Sequence, residues 1–107
     1  KSRTDPIIII QSDEGPYFDK LNASVTHFDM RYATPDELRQ KSMILNAYHI
    51  PGSYGVHLYP AITPVNTFRL IFNAVFSEKY PILPDRIIGH RSFWYPYHHF
   101  DITGIVK

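Results

Sequence analysis

The sequence contains no cysteine, which excludes disulfides, thiolate nucleophiles and thiolate metal sites but leaves the compartment open. It has no apolar run near the roughly 20 residues needed to span a bilayer, so no membrane segment is expected in it. Net charge is nearly absent, at +1. The lysines and arginines are scattered rather than grouped, so the electrostatic footprint of a nucleic-acid binder is missing. No internal repeat, low-complexity tract or N-terminal targeting pattern is present. There is no initiator methionine. Lys1 at the start is what a segment cut from a longer polypeptide would give, and processing of a precursor would look the same.

What remains is 107 residues, 44% hydrophobic and 20% charged. This is the composition of a folded domain, or of part of one. Ile7-Ile8-Ile9-Ile10 is a continuous β-branched run closed by Ser12-Asp13-Glu14-Gly15-Pro16. A short run apolar on both faces is expected to be a buried strand, central and parallel to its neighbours. Such a strand needs covering helices on both faces, more than this chain supplies. Residues 16–33 show no sustained period and are expected to be a loop.

Thr34-Pro35-Asp36-Glu37 reads as a helix start, with Thr34 the N-cap, Pro35 the first helical residue and Glu37 closing a capping box. That helix should end near Lys41. Met43 to Ile50 is expected to be a second largely buried strand, stopped by Pro51-Gly52. Thr63-Pro64 repeats the start signal. Val65, Phe68, Leu70, Ile71, Phe72, Val75 and Phe76 then give a broad apolar helical face, expected to pack on the sheet. Residues 80–85 form a proline-bounded connection. Residues 86–95 read as an edge hairpin, and Phe100 to Val106 as a last strand.

Three stretches, in this order, resemble one family. They are the isoleucine strand followed by Ser-Asp-Glu-Gly-Pro, then Ile44 to Gly52 (Ile-Leu-Asn-Ala-Tyr-His-Ile-Pro-Gly), then Tyr59 to Asp85 with its Thr-Pro-Val-Asn-Thr-Phe-Arg core. Together they are similar to the C-terminal part of bacterial sulfatase-like hydrolases of the alkaline phosphatase superfamily. The resemblance runs from about residue 5 to the end. It implies an α/β sandwich with a mostly parallel central sheet, of which residues 1–107 would be the C-terminal portion. The upstream catalytic part would be absent and the fragment alone inactive.

The same resemblance implies a metal-dependent hydrolase or transferase acting on small-molecule or polymeric sulfate or phosphate esters. Its parent would be membrane-anchored, with the hydrolase domain outside the cytoplasm. In that family the strand commonly ends in Asp-His-Gly, whose first two residues ligate the metal. Here Asp13 matches directly and Glu14 stands in place of the histidine, making Asp13 and Glu14 the candidate metal ligands. Two carboxylates favour Mg²⁺, Mn²⁺ or Ca²⁺ over Zn²⁺. The substitution equally suits a degenerate, non-catalytic domain kept for binding or scaffolding.

Other polar residues read more simply as structure. No histidine is spaced to activate Ser12. His98 and His99 are adjacent, so on a strand they face opposite sides and cannot share one ion. His90 is joined to His98 by a stretch whose path the sequence does not define. His49 is expected to pack within the second strand. His27 and His57 fall in loops from which either could approach Asp13. Arg69 could hold an anion, but a capping or sheet-docking salt bridge is the simpler role. Asn66 and Thr67 should cap and pack. Phe93, Trp94, Tyr95 and Tyr97 suit packing better than base stacking, since no basic groove accompanies them. Asn22-Ala23-Ser24 matches a glycosylation sequon. A fragment with uncovered sheet edges is also expected to self-associate.

Overall fold

The computed structural model describes residues 5–107. In chain order the elements are β1 (Ile8–Gln11), α1 (Asp19–Ala23), α2 (Pro35–Ser42), β2 (Asn46–His49), α3 (Pro64–Phe76), β3 (Ile88–His90), β4 (His99–Asp101) and α4 (Thr103–Val106). Single 3₁₀ turns occupy Met30–Tyr32 and Gly52–Tyr54. The class is mixed α/β. The chain divides into two compact units, each discontinuous in sequence. One contains the residues up to Gln11 together with Asn46–Asp85, and the other contains Ser12–Leu45 together with Arg86–Lys107.

The first unit holds β1, β2 and α3. β1 pairs with β2, and the pairing is antiparallel, in the register Ile8 to His49, Ile9 to Tyr48, Ile10 to Ala47 and Gln11 to Asn46. This corrects the expectation that the isoleucine run lies among parallel neighbours: among the described residues its one partner is antiparallel. The run is also not buried on both faces. Ile8 and Ile10 are 46% and 57% exposed and share their open face with Ala47 and His49. Residues Ile9, Gln11, Asn46 and Tyr48 are half-buried on the other face, where the Tyr48 hydroxyl meets Thr67 Oγ1 at 3.4 Å. The second strand is shorter than expected, starting at Asn46, and Met43 and Leu45 before it are 70% and 60% exposed.

α3 forms where the Thr63-Pro64 signal places it, but it is oriented differently from the simple apolar reading. Asn66, Thr67 and Ile71 are its buried residues, while Val65, Phe72 and Phe76 are exposed. The reason is a polar network that outcompetes the apolar stripe for the inside. Asn66 and Thr67 are fully buried, and buried polar groups must be paired. Asn66 meets that requirement by donating to the Leu83 carbonyl (2.7 Å), the Asp85 carboxylate (3.0 Å) and the Tyr59 hydroxyl (3.1 Å). Its own carbonyl accepts the Leu83 N–H at 3.0 Å.

The helix start is fixed from a distance. Asp85 accepts both the Thr63 N–H and the Thr63 hydroxyl at 2.7 Å, so the N-cap side chain is used for docking rather than for capping. At the far end Ser77 takes the left-handed conformation. The Asn73 amide bonds both backbone groups of Tyr80 there.

The second unit holds the apolar core: Phe18, Leu21, Met30, Leu38 and Ile102, with Tyr17, Phe28, Ile87, Phe100 and Val106 packed around it. Three of the five core residues come from residues 16–33, expected to be a loop and found to carry α1 and a 3₁₀ turn. Their spacing sustains no period because Phe18 and Leu21 face the core from the single short turn of α1 and its N-cap, and Met30 from a separate 3₁₀ turn. α2 has the expected capping box: the Glu37 N–H donates to Thr34 Oγ1, and the Thr34 N–H donates to the Glu37 carboxylate.

β3 and β4 pair antiparallel in the register Ile88 to Asp101, Gly89 to Phe100 and His90 to His99. The hairpin expected over 86–95 is therefore longer, its return strand coming from beyond His98. The last strand expected to reach Val106 stops at Asp101. There the Asp101 carboxylate accepts the Thr103 N–H at 2.9 Å and the chain turns into α4.

Candidate functional site

The acidic turn lies immediately after β1. Its backbone is fixed on both sides. The Ser12 N–H donates to the Leu45 carbonyl at 3.0 Å, and the Gly15 N–H donates to the Lys41 carbonyl at 2.9 Å. The Ser12 hydroxyl accepts the Leu45 N–H at 2.8 Å, so this serine carries on the strand pairing rather than presenting a nucleophile.

Gly15 is needed here for space. It is buried, and its φ is not in the left-handed region. A β-carbon at this position would press on the Lys41 carbonyl and stand 2.6 Å from the Gln40 carbonyl oxygen. The glycine lets the turn lie directly on the C-terminal end of α2, a close backbone approach rather than a tight-turn conformation.

The two carboxylates diverge in their surroundings, although both are exposed. Glu14 forms an ion pair with Lys41 at 2.5 Å. Lys41 also lies over the Tyr17 ring, 4.0 Å from its centroid. The hydrogen bond from Lys41 lowers the Glu14 carboxyl below the usual range, and the positive charge of His90 adds a smaller contribution. The Tyr17 phenol is pushed up, chiefly by interaction with Glu14 and last by the charge of Asp13. Asp13 itself has no hydrogen bond or ion pair among the described residues, and its carboxylate is open to an external cation.

The structure thus gathers Glu14, Tyr17 and Lys41 on the turn that carries Asp13, with His90 within electrostatic reach of Glu14. Lys41 and Tyr17 were not singled out by the sequence reading. Lys41 sits on the last turn of a helix 27 residues further on, and nothing in local spacing connects it to Glu14. Among the described residues, no three His, Cys, Asp or Glu side chains form a group able to hold a metal. Neither His27, which bonds Thr26 at 2.7 Å, nor His57, exposed in the first unit, joins Asp13 in such a group. Of the pair expected to ligate, Asp13 is free and Glu14 would have to leave Lys41.

Two other polar clusters are built more tightly. In the second unit Asp29 accepts from Arg31, at 2.6 Å in the closest contact, and from Arg91 at 2.9 Å. These bonds, Arg31's first, hold its carboxyl well below the usual range. In the first unit burial pushes the Asp85 carboxyl up. The hydrogen bonds from Tyr59, Thr63 and Asn66 outweigh that and leave it well below the usual range. The Thr63 to Arg69 core of the third resembling stretch thus has structural roles in this unit. Arg69 donates to the Pro81 carbonyl at 3.2 Å and lies over Tyr80, and it forms no salt bridge among the described residues. It borders a shallow groove of about 350 Å³ shared with Val65, Phe68, Phe72 and Tyr80.

No helix among the described residues is long and apolar enough to cross a membrane. Comparisons with protein-family models, with curated proteins and with solved structures find no match to this chain.

Proposed function

We propose that this chain is the C-terminal part of a sulfatase-like hydrolase, in which Asp13 is one ligand of a divalent metal ion acting on a sulfate or phosphate ester. The observation that carries the reading is the state of Asp13. It stands just beyond the C-terminal end of a strand, on a turn whose backbone is pinned on both sides, and its carboxylate has no partner among the described residues. Open α/β sheets bind ligands at this end of their strands. A hard oxygen donor there suits Mg²⁺, Mn²⁺ or Ca²⁺. When bound, such an ion would polarise the ester oxygen and favour the deprotonated nucleophile.

The remaining ligands and the nucleophile would come from residues preceding this chain. The finer architecture belongs to the same proposal. β1 has β2 on one side only among the described residues, which leaves an edge for a parallel strand, and the open face of Ile8 and Ile10 would lie under a covering helix. The parent would be anchored in a membrane, with this domain outside the cytoplasm.

One observation favours a second reading. Glu14 is neutralised by Lys41, so the turn offers one free carboxylate where two ligands were expected. A domain retaining the fold but not the chemistry would look the same, and would serve for binding or scaffolding.

The full-length protein decides between them. It is assayed against aryl sulfates and aryl phosphates with Mg²⁺, Mn²⁺, Ca²⁺ and Zn²⁺ supplied in turn. Metal-dependent turnover that disappears in Asp13→Ala is the expected result. Turnover unchanged by that substitution removes Asp13 from the mechanism, and no turnover with any metal leaves the non-catalytic reading.

A further inference from the structure

The hairpin of the second unit brings together two histidines that lie nine positions apart in the sequence. His90 and His99 are direct cross-strand partners in the β3–β4 register. The kind of pair they form follows from the bonds on either side. The Arg91 N–H donates to the His98 carbonyl, and the Ile102 N–H donates to the Ile87 carbonyl, each at 2.9 Å. Those two pairs are hydrogen-bonded. Antiparallel pairs alternate, so Gly89 with Phe100 is hydrogen-bonded and His90 with His99 is not. A non-hydrogen-bonded pair brings its side chains closest, with Cα atoms about 4.5 Å apart and Cβ atoms roughly 4.5–5.5 Å apart.

The face on which they stand is open. Gly89 and Phe100 turn inward, where Phe100 packs on the core, and alternation puts His90 and His99 outward, where both are exposed. Neither imidazole has a hydrogen bond among the described residues. Two imidazoles anchored at facing positions of a paired ladder have only their side-chain torsions to fix on chelation, which favours a bidentate donor. Imidazole is the ligand preferred by zinc, copper and nickel. The carboxylate field that reaches His90 from Glu14 also favours a cation there.

We propose that His90 and His99 form a cross-strand chelate for a divalent ion of the zinc, copper and nickel class. The chelate uses neither Asp13 nor Glu14 as a ligand, although His90 lies within electrostatic reach of Glu14, and it is independent of the hydrolase reading. No third His, Cys, Asp or Glu completes a protein cluster among the described residues, so water or an external ligand fills the other positions. His98 is excluded by the same geometry, because alternation sends its side chain to the opposite face.

The test uses Zn²⁺ alone with the 107-residue chain. Calorimetric titration is expected to show saturable binding of one ion, with the ring resonances of His90 and His99 shifting and those of His98 unmoved. Saturable binding should be lost in His90→Ala and in His99→Ala, and retained in His98→Ala and Asp13→Ala. The conservative His90→Gln and His99→Gln variants guard against a folding defect, and the circular dichroism of each should match the unsubstituted chain. Absence of saturable Zn²⁺ binding in the unsubstituted chain overturns the proposal, as does its survival in His90→Gln with His99→Gln combined. Loss in Asp13→Ala would assign the ion to the acidic turn and overturn it as well.

Discussion

The Asn66 side-chain amide donates to the Asp85 carboxylate at 3.0 Å across 19 residues of sequence, and Asn66 is wholly buried. The contact ties the first turn of α3 to the proline-bounded segment that follows the helix. It also explains why the helix buries Asn66 and Thr67 while Phe72 and Phe76 stay exposed.

Replacing Asn66 by Ala should therefore cost more than a typical surface change. The substitution strands the Leu83 N–H and carbonyl and removes one donor to Asp85. Leu83 is itself partly exposed, so water can take over at its backbone, and at about 0.5–1.5 kcal/mol per hydrogen bond lost a loss of about 2 kcal/mol is expected in urea denaturation. Val65→Ala, on the exposed side of the same helix, should change stability by less than about 1 kcal/mol.

Acid should destabilise the fold through a small set of carboxyls. Asp85 and Asp29 are held well below the usual range, and Asp101 is lowered to about 2, chiefly by its hydrogen bonds from Thr103 and then by Arg86. A group whose folded pKa is depressed contributes its stabilisation in full above its unfolded value of about 3.9. That contribution is lost as pH falls through the folded value. Unfolding free energy should thus be flat above about pH 5 and fall steadily from there toward pH 2. Asp85→Asn should lower stability at neutral pH and make the acid slope shallower. Denaturation curves collected across pH 2 to 7 would check both, and an unchanged slope in the variant would refute the assignment to Asp85.

Gly15→Ala should destabilise the second unit by roughly 1–3 kcal/mol, the usual cost of overpacking. The new methyl would meet two backbone carbonyls, and backbone cannot move aside as a flexible side chain can. Gly52→Ala serves as the comparison, since a β-carbon at Gly52 meets nothing within 4 Å and its effect should be much smaller. Equal effects at the two positions would show that Gly15 is not held against α2 as described.

Lys41→Met should free Glu14 without unfolding the chain. The pair is partly exposed, and such pairs contribute about 1 kcal/mol at most. The Glu14 carboxyl should rise toward its ordinary pKa, read from the side-chain carboxyl resonance in an NMR titration. If Glu14 is a latent ligand, Mn²⁺ should broaden Asp13 and Glu14 resonances together in this variant and those of Asp13 first in the unsubstituted chain.

Much of this was written locally in the sequence, and the rest could not be. The Thr34 capping box and the Thr63-Pro64 helix start are recognisable because all their parts lie within four residues. The isoleucine run shows that a strand is present, but four apolar residues do not encode the direction of their partner, and its antiparallel pairing with Asn46–His49 depends on where the intervening chain goes. The apolar stripe of α3 is turned only partly inward, with Ile71 buried and Phe72 and Phe76 exposed, because Asn66 and Thr67 take the buried positions in the network with Leu83 and Asp85. Asp13 was legible as an exposed acid after a strand. The Glu14–Lys41 pair was not, since it forms only when α2 is brought back against the turn. Histidine spacing alone rules out His98 with His99, whereas the meeting of His90 and His99 required the register.

Because each unit is assembled from two separated stretches, the polypeptide passes from one to the other at residues 11–12, 45–46 and 85–86. Expression of a contiguous half would therefore yield neither body intact. A stop after Asp85 deletes β3, β4 and Ile102, removing part of the apolar core around Phe18 and Leu38 while sparing every residue of the Asn66–Asp85 network. Dissecting the molecule calls for circular permutation or paired co-expression, with breakpoints at those three junctions.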